Sequence, residues 1–130
     1  MVTEPIVFIS HFTVKAGHGA ALRQMSDSVA ADLEATRPRT AAFLAFLDET
    51  GDRFSIVHVF PDADAMAAHV VGAGERSSAA YEHFTPAGWE VYGRPHEAEL
   101  EMMREGAKAA GVNLSVEPEA LGGFLRTTAG

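Results

Sequence analysis

The order of periodicities along the chain predicts an α+β fold of the ferredoxin-like, split βαβ kind, an antiparallel sheet with helices on one face. Two apolar stretches, 42–48 and 54–60, flank a short polar turn that contains Gly51, as the arms of a hairpin do. Residues 20–35 carry Leu22, Met25, Val29 and Leu33 at spacings of three and four, the mark of an amphipathic helix. Taken in sequence, the elements run strand, helix, strand, strand, helix, strand.

Each element has its own local reason. Ile6–Val14 is β-branched and aromatic, with Ile6, Phe8, Ser10, Phe12 and Val14 on one face and Val7, Ile9, His11 and Thr13 on the other. Both faces are largely apolar, so a central strand covered on both sides is expected. Residues 15–19 make a turn into the first helix, and Pro38 disfavours helical geometry after it. Residues 42–48 form the second strand. In Arg53–Phe60, Phe54, Ile56, His58 and Phe60 alternate with Ser55, Val57 and Val59, which predicts the third strand. It stops at Pro61, where Asp62 caps a helix running through Met66, His69 and Val70. Gly72 and Gly74 interrupt that helix, 75–84 resumes it, 85–88 turns, and 89–92 is the fourth strand. A later block predicts a helix at Glu97–Ala110 with Leu100, Met103 and Ala107 on one stripe, ended by Gly111. Val112, Leu114 and Val116 then alternate like a small strand, and 121–125 is apolar and glycine-marked.

The totals exclude several functions. With 130 residues and no linker, the chain reads as one domain. Its net charge is −8 without any run of Lys or Arg, so no surface for nucleic acid or anionic membrane is expected. There is no cysteine, which removes disulfides, thiol catalysis and thiolate metal sites. No apolar stretch approaches the ~20 residues of a membrane span, and MVTEPIVFIS lacks the basic and apolar regions of a secretory leader. A cytoplasmic protein is expected. Helices on one face leave the other face of the sheet apolar, and a second copy of the chain is the simplest cover.

Candidate chemistry centres on histidine. His58 lies in register with an apolar face, and His69 falls three residues after Met66, toward the packed side of its helix. Together they can orient a phenol or take its proton, because imidazole titrates near neutrality. The plainer alternative is a buried histidine satisfied by a carbonyl or a neighbouring Asp. His11 and His83 are weaker candidates of the same kind, and His18 and His96 lie in turns. Tyr81, Trp89 and His11 are the residues expected to contact a substrate, since a phenol or indole can stack on an aromatic ligand and give one hydrogen bond. Arg94 can hold an anionic oxygen or pair with Glu90. The histidine spacings do not match zinc-site patterns, and His96-Glu97 is not followed by a second histidine at helical distance. Gly17-His18-Gly19 lacks the third glycine of a dinucleotide-binding turn. No metal is expected.

The segments TVKAGHGAALRQ and AFLAFLDETGDRFSIVHVFPDADAMAAH, with a closing strand after a second helix, resemble the antibiotic biosynthesis monooxygenase-like family of the dimeric α/β-barrel superfamily. The resemblance covers about 5–95, which leaves 96–130 as a C-terminal extension that packs on or exchanges with a partner. Where members usually carry Tyr or Glu ahead of the second helix, this chain has His58 and Phe60. The resemblance implies a homodimer with a small cavity between sheet and helices in each subunit. It implies oxygenation of a quinol or polyphenol without cofactor, with His58 or His69 as the base. A non-catalytic dimer that binds a small apolar ligand, or a haem-binding or haem-degrading relative, are the alternatives it leaves.

Overall fold

A computed structural model describes residues 4–126 of the chain. The first three residues, part of the stretch searched for a leader, and the last four lie outside the described residues. Strand β1 (Ile6–Val14) is the hub, pairing antiparallel with β3 (Arg53–Phe60) on one side and β4 (Phe84–Tyr92) on the other. β2 (Ala42–Leu47) joins β3 as a hairpin, and β5 (Leu114–Glu117) lies parallel along β4, giving the order β2-β3-β1-β4-β5. The first four strands with α1 (Gly19–Thr36), α2 (Ala63–His69) and α3 (Ala73–Ala80) make the split βαβ arrangement. α4 (Glu97–Ala110) and β5 follow it.

Register sorts the side chains. Phe8 stands opposite His58, Ser10 opposite Ile56, and Phe12 opposite Phe54, so the even-numbered residues of β1 and β3 share one face. That face carries the helices. At one end Ile6, Phe60 and Val91 pack with Ala65 and Met66 of α2 and Met103 of α4. At the other Phe12, Phe54 and Phe84 pack with Leu22 of α1. Phe8, Ser10, Ile56 and His58 fall between the two clusters along the strands, and that interval is where the sheet and helices leave space.

One expectation is revised. The helix resumed after Gly74 ends at Ala80, and β4 begins at Phe84 and runs through the residues read as a turn. The register between β1 and β4 shifts between His11 and Phe12, so Gly88 and Pro86 face neighbouring β1 residues and Ala87 is extra. A proline, which has no N–H to give a ladder, is tolerated at such a bulge. β1 is central, and the chain's own helices cover one of its faces. On the opposite face Leu44 of β2 is 51% and Phe46 60% exposed within the single chain. α4 packs on its own chain's sheet through Leu100 and Met103. The apolar run 121–125 forms no regular element, and Leu121 and Phe124 are exposed.

Candidate functional site

The strand-to-helix junction at 60–63 places the two central histidines. The alternation of β3 turns His58 toward the helices, and Pro61 ends the strand. Asp62 then starts α2: one carboxylate oxygen accepts from the Ala65 N–H at 2.8 Å and the other from Arg39 at 2.5 Å. Seven residues on, His69 returns to the strand, and the two imidazoles meet edge-on with centroids 5.1 Å apart. Both are buried.

Their hydrogen bonds differ in kind. His58 Nδ1 lies 3.3 Å from the Phe8 carbonyl oxygen. A carbonyl only accepts, so Nδ1 carries the proton and Nε2 keeps a free lone pair. The ring is stacked on Phe8 and edged by Phe43, at 5.3 and 5.2 Å between centroids. His69 Nδ1 lies 2.7 Å from Thr40 Oγ1, a group that can give or take a proton. Neither Nε2 has a partner among the described residues, and no fully buried side-chain N or O there is left unpaired. Both Nε2 atoms therefore retain open surface.

His58 and His69 both line a cavity of about 430 Å³ between the sheet and α1, α3 and α4. Its walls are mainly apolar, with Phe8, Phe12, Phe43, Leu22, Met25 and Met103 among them. Polar groups are few: Ser10, Ser26, Ser77, Tyr81, the Trp89 indole, Arg76 and the two histidines. Trp89 stands against α4 where Gly106 lacks a side chain, and a Cβ there would lie 3.6 Å from the indole. Arg76 is already engaged, donating at 2.8 Å to both the Val71 and His69 carbonyls. Arg37 donates to the same two carbonyls, at 2.8 and 3.2 Å. Two cations thus hold the negative C-terminal end of α2.

Burial and these charges keep the imidazoles neutral. Burial first, then His69, push the His58 pKa down to about 3. Burial first, then the Arg76 and Arg37 guanidiniums, push His69 down to about 4. Burial also raises the Tyr81 phenol above its ordinary value.

Of the residues singled out in the sequence, His58, His69, Tyr81 and Trp89 line this one cavity. His11 does not join them. It lies on the open face of the sheet, as the strand period requires of an odd-numbered residue of β1. There Nδ1 meets Ser55 Oγ at 2.8 Å and Nε2 meets Glu90, which also accepts from the Tyr92 hydroxyl at 2.5 Å. His18 and His83 pair with each other, their Nδ1 atoms 2.9 Å apart, away from the cavity. His96 is held by Asp64 at 2.6 Å, and Arg94 meets Glu4, not Glu90. Ser10, Thr40, Arg37 and Arg76 were not singled out by sequence. Only Ser10 carried a signal, a small polar residue between Phe8 and Phe12 on an inward face.

Among the described residues no three His, Asp or Glu side chains are placed to hold a metal ion. Haem fits poorly. His58 or His69 offers an axial nitrogen, but the haem carboxylates would find only Arg76, whose guanidinium is committed to carbonyls. Among the described residues no helix is long and apolar enough to cross a membrane.

Comparison with solved structures places this architecture. MupZ from Pseudomonas fluorescens superposes with a TM-score of 0.70 at 19% identity, over 97% of this chain and 92% of that one. SnoaB from Streptomyces nogalater, a cofactor-independent oxygenase, gives 0.56 at 16% identity, over 72% of this chain and 95% of that one. A candidate antibiotic biosynthesis monooxygenase from Bacteroides thetaiotaomicron gives 0.54 at 10% identity, over 62% and 79%. The chain has the antibiotic biosynthesis monooxygenase-like fold. At these identities the likeness is one of fold. No family model and no curated protein matches the sequence.

Proposed function

We propose that the chain is an antibiotic biosynthesis monooxygenase-like protein that oxygenates a quinol or polyphenol without a cofactor. One observation carries this reading: two neutral imidazoles, whose Nε2 atoms have no partner among the described residues, line one mainly apolar cavity. The fold shared with SnoaB supports it. A phenolic hydroxyl seated at His58 and His69 loses its proton, and the phenolate gives one electron to oxygen. The substrate radical and superoxide then join through a new C–O bond, and the peroxide formed loses water to leave a quinone. Tyr81 and Trp89 flank the ring, while the apolar walls keep water from the radical pair.

A second reading is a non-catalytic dimer that binds a small apolar ligand. The depressed basicity of both histidines favours it, because a weak base gains little from a phenol. Oxygen uptake with a panel of quinols separates the two. The oxygenase reading expects uptake above the protein-free rate, reduced roughly a hundredfold by His69→Ala and also lowered by His58→Ala. Uptake at the protein-free rate for every quinol, with ligand binding intact, leaves the binding reading.

The same proposal takes the protein as a cytoplasmic homodimer. Its open sheet face, with Leu44 and Phe46, meets the same face of a second copy. Residues 96–130 form an extension of a single domain whose α4 closes the cavity wall beside Trp89.

A further inference from the structure

His69 touches two spaces. It lines the inner cavity, and it also lines an outer cleft of about 320 Å³ formed by residues 36–40 and the outer side of α2. Thr40 borders only the outer cleft, and its hydroxyl holds the Nδ1 edge of His69 at 2.7 Å. We propose that His69 and Thr40 form a proton-transfer link between the inner cavity and solvent, with Thr40 as the positioning residue.

The two histidines are unequal in this respect. His58 Nδ1–H is bound to the Phe8 carbonyl, which cannot release a proton onward. A proton arriving at His58 Nε2 must stay and make an imidazolium in a buried, apolar place. His69 has a way out. When a proton reaches its Nε2, the Nδ1 proton passes to Thr40 Oγ1, and the hydroxyl proton passes to water in the cleft. Nε2 gains one hydrogen, Nδ1 loses one, the hydroxyl exchanges one, and the imidazole ends neutral. The ring changes tautomer instead of charge. Run in reverse, the same steps return a proton to the cavity and restore the first tautomer.

The arrangement is held rigidly where it matters. Arg37 and Arg76 both donate to the His69 carbonyl, which fixes the backbone of the ring. Their charges also oppose an imidazolium at His69, and this favours transfer through the neutral ring. The aromatic neighbours of the ring are His58 and Phe60, with centroids at 5.1 Å each, and among the described residues no carboxylate bonds to Nδ1 in place of Thr40. His58 is then the fixed acceptor that orients a hydroxyl, and His69 the group that carries its proton away.

The catalytic use of the link rests on the oxygenase reading, whereas the link itself does not. The test therefore has two arms on the full chain. In histidine ¹⁵N NMR without substrate, the His69 ring N–H is expected to exchange with water about tenfold faster than that of His58. Thr40→Val should slow it to the His58 rate, Thr40→Ser should keep it fast, and unchanged His58 signals report an intact fold. Equal exchange at the two rings, or Thr40→Val exchanging like the parent with the fold intact, overturns the link. In the second arm, Thr40→Val should lower kcat for a quinol roughly a hundredfold with KM little changed, and Thr40→Ser should restore it. Loss of KM alone, or no rescue by Ser, overturns the catalytic use. Absence of uptake in the parent sinks the oxygenase reading and leaves the NMR arm to decide the link.

Discussion

His58 shows how a single buried ring couples the site to stability. Its folded-state pKa of about 3 lies below the ordinary value near 6.5 of an unfolded chain. Between those values the unfolded chain binds the extra proton, so the contribution is full above about pH 6.5 and is lost as pH falls toward 3. The scale is on the order of 5 kcal/mol, since each pKa unit is worth about 1.4 kcal/mol. Thermal unfolding should therefore show a Tm that falls steeply from pH 6.5 to 4. His58→Asn, which keeps a donor for the Phe8 carbonyl, should flatten that slope; parallel slopes in parent and variant would refute the assignment. The sequence made His58 and His69 visible because period two and helical spacing both point them inward. It could not choose a face for His11, because both faces of β1 are apolar and the choice is made by the register with β3. Thr40 was invisible for a different reason: its bond to His69 spans 29 residues and no local pattern encodes it.

At the scale of elements, α2 is a seven-residue helix that cannot stand without its cap. Asp62 supplies the cap and ties α2 to the loop after α1 through Arg39. Asp62→Ala should cost about 1 kcal/mol in a urea titration, with Asp62→Asn costing less because it retains an acceptor. A loss as large in Asn as in Ala would mean that the Arg39 pair, not the cap, carries the effect. Helices α1 and α4 and strands β1 to β3 were legible because period and punctuation agree there. They disagree at β4. Pro86 and Gly88 are strong turn signals, yet pairing with β1 overrides them by putting the irregularity into a bulge. The same misreading lengthened the second half of the helix, because Tyr81 and Phe84 sit three apart and mimic one helical face. In the structure they still touch, with centroids at 5.7 Å, across the end of α3 and the start of β4.

For the whole molecule, the proposed homodimer assigns the sheet face away from the helices to a second copy. Leu44 and Phe46 expose apolar surface at the β2 side, while His11, Ser55, Glu90 and Tyr92 make a polar network toward β4. A second copy that covers this face is expected to bury the leucine and phenylalanine at its centre. Leu44→Glu with Phe46→Glu should then give a monomer by size-exclusion chromatography with light scattering, the far-UV spectrum unchanged. A double variant that remains the size of the parent would place any interface elsewhere. The five-stranded sheet has another property that follows from β5. Without it, β4 would present a nine-residue edge, interrupted only at Pro86, to the surroundings, a length on which a foreign strand can template. β5 occupies the Trp89–Tyr92 part of that ladder and is itself only four residues long. The C-terminal block thus acts as a guard on the sheet's margin, trading a long adhesive border for a short one and protecting the chain from strand-by-strand self-association.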